Sequence, residues 1–355
     1  MELQEKIISG IQQVGIGIRN VDEAWAFYRK NFGFDVPVFR DKATANLMVR
    51  YTGGKTFSRD AVLALNMQGG GGFEIWQFTD RTPQPAEFAI QAGDLGIYAV
   101  KVKCTDVAAC YAEFQKRKLD IVGPLAKNPA GDLHFYVRDP YGNVFEIVKG
   151  LAWFKTGRSL MGGVGGVTIG VTDMDKAITF YSSLLGYSQK VYDTTATFED
   201  FAGLPGGTDT FRRVLLRHPE VRTGAFAKLL GPTEIELISV QSRTAKKMYE
   251  NRFWGDLGFI HVCFDITGMK LLEKECATKG YPFTVDSANS FDMGEAAGHF
   301  SYCEDPDGTL IEFVETHRVP ILKKLGLYLN LKNRKPGKAL PNWMVSALGI
   351  SRVKD

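Results

Sequence analysis

The chain has 355 residues, 43 Lys and Arg against 40 Asp and Glu, and 45% hydrophobic residues. A length of that order suggests about two domains at roughly 150 residues each, with ordinary globular cores. A net charge of +3 without a recognisable binding module argues against nucleic acid as a partner, and the lack of an apolar run of about 18 residues argues against a membrane span.

The opening MELQEKIISGIQQ has no charged start, apolar run and small-residue cleavage site, so no signal peptide is expected. QQVGIGI (12–18) reads as a strand. Asn20 is placed to cap a helix over DEAWAFYRKNF, whose Ala24, Phe27 and Tyr28 share one face, and Gly33 ends it. The segments NLMVRYT (46–52), AVLALNM (61–67) and FEIWQF (73–78) alternate as strands do. The glycine run QGGGGFE (68–74) lacks the Gly-Lys-Ser/Thr end of a phosphate loop and reads as a hairpin turn.

LGIYAVKVK (95–103) opens a second strand–helix unit, with a helix through Val107, Tyr111 and Phe114. It closes on HFYV and VFEIV around a DPYG turn, where Pro presets φ and Gly is free to take positive φ. The order then repeats. VTIGVTDMDKAITFYSSLLGY (167–187) agrees with VGIGIRNVDEAWAFYRKNFGF (14–34) at eight of 21 positions. RRVLLR, GAFAKLL and TEIELIS follow as strands. FAGLPGG (201–207), before RRVLLR, reads as a loop over a pocket or a plain turn. LGFIHVCFD (257–265), a helix through Leu271, Leu272 and Cys276, HFSYC and TLIEFV complete the second half. At an offset of 166, Tyr136, Asp139, Pro140, Gly142, Glu146 and Val148 fall on Tyr302, Asp305, Pro306, Gly308, Glu312 and Val314. The chain is a duplication.

The pattern predicts an α+β protein of four tandem βαβββ modules, with curved, mixed, mainly antiparallel sheets. The expected domains are 1–150 and 160–317, followed by a C-terminal extension, 318–355, with nine Lys or Arg and one acid. Leu, Ile, Tyr, Trp and Met in that extension suggest that it packs partly on the body, near an anionic substrate or as an ordinary surface extension. Five cysteines (Cys104, Cys110, Cys263, Cys276, Cys303) without CxxC spacing fit reduced thiols in a cytoplasmic protein.

These strand–helix openings, with LGFIHVCFDI, DPYGNVFEIV and DPDGTLIEFV, resemble the vicinal oxygen chelate superfamily. Its members include glyoxalase I, methylmalonyl-CoA epimerase, fosfomycin and bleomycin resistance proteins and extradiol dioxygenases. The resemblance covers nearly all of residues 10–316. It implies two glyoxalase-like domains, in which two adjacent units curve around a divalent metal. Ligands would come from each unit's first strand, usually His or Gln, and last strand, usually Glu. Laid on this chain, the positions are Gln13 and Trp76, Ala99 and Glu146, Gly166 and Glu236, and His261 and Glu312.

Pairing within halves would give Glu236, His261 and Glu312 in the second domain, and leave Gln13 and Glu146 as a degenerate site in the first. Pairing of unit one with unit four would give Gln13, His261 and Glu312. The implied cofactor is one divalent ion of Fe, Mn, Ni, Co or Zn, or none. The implied chemistry is isomerase, epimerase or lyase work on a small oxygen-rich substrate through an enolate or enediolate, with Glu236 or Glu312 carrying the proton. One alternative is a binding or resistance-type protein without turnover, for which Trp76 would line an apolar pocket. The other is an extradiol dioxygenase, disfavoured because Gly166 replaces a needed histidine and His299 lies off the ligand position. Tyr302 and its repeat mate Tyr136 either donate a proton or pack. The expected partner is a small molecule, with no nucleic acid or membrane, and the protein itself a monomer or homodimer.

Overall fold

The computed structural model describes residues 5–157, 159–288, 291–292, 297–322, 327–331 and 334–354. All four expected units form. Unit one comprises strand Ile7–Gly17, helix Val21–Phe32 and strands Val36–Thr44, Ser58–Leu65 and Gly72–Phe78. Unit two comprises Gly96–Cys104, helix Val107–Lys116, Asp120–Lys127, Leu133–Arg138 and Val144–Lys149. Unit three comprises Met161–Gly170, helix Met174–Leu185, Gln189–Ala196, Phe211–Arg217 and Glu234–Val240. Unit four comprises Gly258–Thr267, helix Met269–Thr278, the short Val285–Asp286 and Phe291–Asp292, then Ala297–Glu304 and Leu310–Leu322.

The first helix starts where the sequence places it. The Asn20 side chain accepts from the N–H groups of Asp22 and Glu23, and Gly33 closes the helix at φ 73°. Two expected strands are absent. Residues Asn46–Tyr51 form a 3-10 turn, and the strand lies upstream at Val36–Thr44. Only Met48 of that turn is buried, while Leu47 and Val49 face solvent, so its apolar residues are not a sheet face. GAFAKLL is a turn and a short helix, Ala227–Leu230. Gly224 at φ 122° and Gly231 at φ 66° bracket it and interrupt any extended run.

The four units pair across the sequence halves. One sheet runs from unit four into unit one, with Gly258–Thr267 antiparallel to Ile7–Gly17 at the seam. The other runs from unit three into unit two, with Met161–Gly170 antiparallel to Gly96–Cys104. In each unit the first and last strands are parallel neighbours, as in Gln13–Gly17 beside Gly72–Trp76. Each sheet therefore draws on strands from both halves of the sequence.

Where the two sheets cross, the glycine run serves as the expected hairpin turn and as a close contact. A Cβ on Gly70 would lie 2.7 Å from the carbonyl carbon of Gly163, so only glycine fits. The outer sheet faces and the helices share one apolar core, including Tyr28, Phe32, Phe73, Phe145, Tyr181 and Phe313. Two repeated motifs meet inside it. Tyr28 donates to the DPYG carboxylate of Asp139 at 2.5 Å, and Tyr181 donates to the DPDG carboxylate of Asp305 at 2.9 Å. Each aspartate also accepts from the backbone of its own turn, which fixes the entrance to the last strand.

The C-terminal extension folds back on the body. Strand Leu327–Asn330 pairs with Leu310–Leu322, and helix Asn342–Ala347 leads into a 3-10 turn, Leu348–Ser351. Leu340 and Val345 are buried with Val36, Leu65, Met67 and Leu229. All five cysteines are buried and free. Among the described residues, no helix is long and apolar enough to cross a membrane.

Candidate metal centre

Four polar side chains converge on the inner face of the sheet that joins unit one to unit four. Gln13 comes from the first strand of unit one, Glu74 from its last strand, His261 from the first strand of unit four and Glu312 from its last strand. Period-two alternation puts them inward, while Val14, Phe73, Val262 and Phe313 point into the core. The ring nitrogen His261 Nε2 is 3.0 Å from Glu312 Oε2 and 3.4 Å from Glu74 Oε2. Gln13 Nε2 donates to the same two oxygens at 3.3 Å each. Glu74, His261 and Glu312 each offer a ligand atom within 4.8 Å of the others, and all three are buried.

Gly15 makes the imidazole's place. It faces His261 across the antiparallel pair, and a Cβ there would lie 2.4 Å from His261 Cε1. On the other side, the Tyr302 hydroxyl stands 3.5 Å from His261 Nδ1, at the long limit of a hydrogen bond. Tyr302 is also the cross-strand neighbour of Glu312. It thus lies against a site residue rather than serving only as core, and burial pushes its phenol well up, so it stays protonated.

The electrostatics leave this group short of positive charge. Burial disfavours the charged ring of His261, but Glu312 and Glu74 outweigh that and raise it to about 10. Burial likewise pushes Glu312 up, while His261 and its hydrogen bonds hold it below its ordinary value. One imidazolium then faces two carboxylates. His261 Nε2 makes no aligned hydrogen bond, and Gln13 Oε1 is buried without a partner. The amide's oxygen and nitrogen are interchangeable by rotation, so the oxygen can turn inward. One imidazole, two carboxylates and an amide oxygen around one point suit a divalent transition ion. The residues fit such an ion.

The equivalent face of the other sheet is built differently. Lys101 Nζ lies 2.5 Å from Glu146 Oε2 and 2.7 Å from Glu236 Oε2, and all three side chains are buried. Glu146 and Glu236 occupy the last-strand positions held by Glu312 and Glu74 in the first sheet. The residue at the place of Lys101 in the first sheet is Cys263, since Lys101 pairs with Glu146 as Cys263 pairs with Glu312. A neutral thiol there leaves its two acids without an ammonium.

Arg213 adds bonds to Glu236 and Asp200, Tyr192 donates to Glu236 at 2.7 Å, and His134 sits between Glu146 and Asp200. Phe198, Phe201 and Leu204 fill the remaining space, so FAGLPGG plugs this face. Glu236 is therefore not brought to His261. Its place beside His261 and Glu312 is taken by Glu74, because unit four pairs with unit one. Glu146, too, is held by a buried ion pair, with Lys101, and does not meet Gln13.

The sequence placed Trp76 at the last-strand position of unit one, two residues beyond Glu74. Both residues share the inner face. The strand register aligns Glu74 with Glu236, because Gly15 pairs with Glu74 as Thr168 pairs with Glu236, whereas matching FEIW to TEIE in the sequence sets Trp76 there. Trp76 instead packs edge-on against Trp254 at 4.7 Å and closes one end of the site. His299 pairs with Asp286 and takes no part in the cluster.

A cavity of about 100 Å³ opens beside Gln13, Glu74 and Glu312. A wider cleft of about 570 Å³ lies beyond Trp254, but none of the four site residues lines it. The smaller cavity is the one that reaches the chemistry.

A family model described as the Glyoxalase/Bleomycin resistance protein/Dioxygenase superfamily matches residues 10–147 and 163–313. No curated protein matches the chain. Among solved structures, glyoxalase I from Zea mays is similar with a TM-score of 0.51 at 13% identity, covering 88% of this chain and 92% of that one. A putative dioxygenase from Bacillus subtilis is similar with a TM-score of 0.56 at 15% identity, covering 87% of this chain and 86% of that one. At these identities the likeness is one of fold. With the family model spanning both halves of the repeat, the chain belongs to the glyoxalase/bleomycin resistance protein/dioxygenase superfamily.

Proposed function

We propose that the protein is a divalent-metal-dependent enzyme of the isomerase, epimerase or lyase type, acting on a small molecule with two neighbouring oxygens. The observation that supports this is the convergence of Gln13, Glu74, His261 and Glu312, with two buried carboxylates and, among the described residues, no ammonium or guanidinium paired with them. A divalent ion held by these four residues would supply Lewis-acid polarisation of the substrate oxygens and so acidify the adjoining C–H bond.

The chain's own groups then divide the work. Glu74 and Glu312 both border the cavity, so either carboxylate is placed to accept a proton from carbon and return it. Tyr302 keeps the His261 ring oriented from its Nδ1 side. Trp76 and Trp254 exclude water from the end of the site opposite the cavity. The fourth corner is Gln13 rather than a second histidine, which speaks against the extradiol dioxygenase alternative.

Metal analysis of the purified protein, alongside His261→Ala, tests the proposal. One divalent ion per chain in the wild type and loss of that ion in the variant are expected. Solvent deuterium should also enter a substrate or product C–H position during turnover of α-hydroxycarbonyl compounds. Absence of a stoichiometric ion after loading with Mn, Fe, Co, Ni and Zn in turn sinks the enzyme reading. A binding protein with the same apolar cavity would survive that result.

A further inference from the structure

The cavity beside the four residues has a composition that constrains what enters it. Its walls are Phe39 and Leu63 from unit one and Phe300 and Val314 from unit four. Its roof comes from elsewhere: Leu229 and Leu230 from the short helix of unit three, and Leu348 from the C-terminal extension. Among the described residues that line it, the only charged side chains are Glu74 and Glu312, both already placed in the metal centre. An anionic or cationic substrate arm entering here would lose its water without gaining a counter-charge.

Size adds a second limit. At about 100 Å³ the cavity is smaller than the roughly 150 Å³ in which an apolar cavity accepts benzene. The roof sets that limit, and the extension is fastened where it crosses. Leu340 N–H donates to Ala225 O at 2.9 Å, and Val353 N–H donates to Asp35 O at 2.9 Å. Arg352 pairs with Asp35 at 2.8 Å. The family match ends at residue 313, so Leu348 lies outside the matched residues.

Resting on the metal-dependent reading above, we infer that the site takes a small, uncharged molecule bearing its two oxygens on a compact apolar body, and that Leu348 sets its size limit. Among the described residues, none of the extension's Lys or Arg lines this cavity. What the extension brings to the cavity is apolar: Val319 at its base and Leu348 in the roof. The wider cleft beyond Trp254 does carry Arg50 and Arg252, but Arg252 is spent on the carbonyls of Met248 and Leu257, and Arg50 faces Glu304.

The test uses the full chain loaded with Co²⁺, whose visible absorption reports ligands without turnover. Three hydroxamates serve as neighbouring-oxygen probes: acetohydroxamate, benzohydroxamate and malonomonohydroxamate, the last with an added carboxylate. The wild type should bind acetohydroxamate at least about tenfold more tightly than either of the others. Leu348→Ala should raise benzohydroxamate affinity by about tenfold and leave malonomonohydroxamate weak. Leu348→Trp should keep cobalt and lose acetohydroxamate. Benzohydroxamate binding unmoved by both Leu348 variants overturns the size assignment. Malonomonohydroxamate binding as tightly as acetohydroxamate overturns the charge assignment and points to the arginine-bearing cleft. Failure to bind cobalt at all refutes the underlying metal reading, and this inference with it.

Discussion

Gly15 and His261 face each other across the seam between units one and four, and the imidazole occupies the space where a Gly15 side chain would begin. A Cβ 2.4 Å from the ring carbon cannot coexist with the ring in its present position, so the imidazole must move. Gly15→Ala should therefore displace the imidazole and abolish stoichiometric metal binding. It should cost about 1–3 kcal/mol of stability as an overpacked site. Metal content and urea denaturation measure the two effects together. Wild-type metal content in a folded variant would show that the ring has another place to go.

Glu74→Gln and Trp76→Phe separate two neighbours on one face of one strand. Glu74 lies 3.4 Å from His261 Nε2, whereas Trp76 packs on Trp254. Removing the Glu74 charge should weaken metal binding by at least about tenfold, on the scale of changes close to a metal site. Trp76→Phe should leave it within a few-fold of wild type. Competition against a chelator dye gives both values. Equal losses in the two variants would place the tryptophan, not the acid, in the site.

The fold was legible because its markers are local. The Asn20 cap, the Gly33 stop, the paired Asp139 and Asp305 turns and the tyrosines that reach them all recur at fixed offsets. Gln13, His261 and Glu312 were legible as one possible set for the same reason. What the repeat did not carry was the partner of each unit. Within either half, the first and last strands look alike whichever sheet they join, and the seam from Ile7–Gly17 to Gly258–Thr267 spans the whole chain. Glu74 was missed by two residues because a strand repeats its face every second position, and FEIWQF offers both an acid and an indole inward. The roof over the cavity was out of reach for a different reason. Leu229, Leu230 and Leu348 come from a misread turn and from an extension without a repeat mate.

His134 gives the second sheet a pH signature. Burial disfavours its charged form, but Asp200 and Glu146 at 3.1 and 2.8 Å outweigh that and raise it to about 9. Its unfolded value is about 6.5, so the raised folded value contributes stability in full below that pH and loses it as pH rises through 9. The contribution is on the order of 3 kcal/mol. The gap in melting temperature between wild type and His134→Gln should be widest near pH 6 and close by pH 10. A gap that does not vary with pH would assign His134 a packing role alone.

Lys101 occupies, in one sheet, the role that the other sheet leaves to an ion. Its ammonium bridges Glu146 and Glu236, while Glu312 and Glu74 have only Cys263 at the matching register position. Lys101→Met removes the bridge and keeps much of the volume, so the acids lose their counter-charge inside a dry face. Breaking a buried pair in this way costs about 3–5 kcal/mol. The smaller Lys101→Ala also opens room between the carboxylates, with His134 at hand beside Glu146. In a His261→Ala background, where the first site is silent, added Zn²⁺ should raise the urea midpoint of Lys101→Ala and not that of Lys101→Met. A Lys101→Met midpoint equal to wild type would show that the ammonium is dispensable, and that the two acids are balanced by Arg213 and His134 alone.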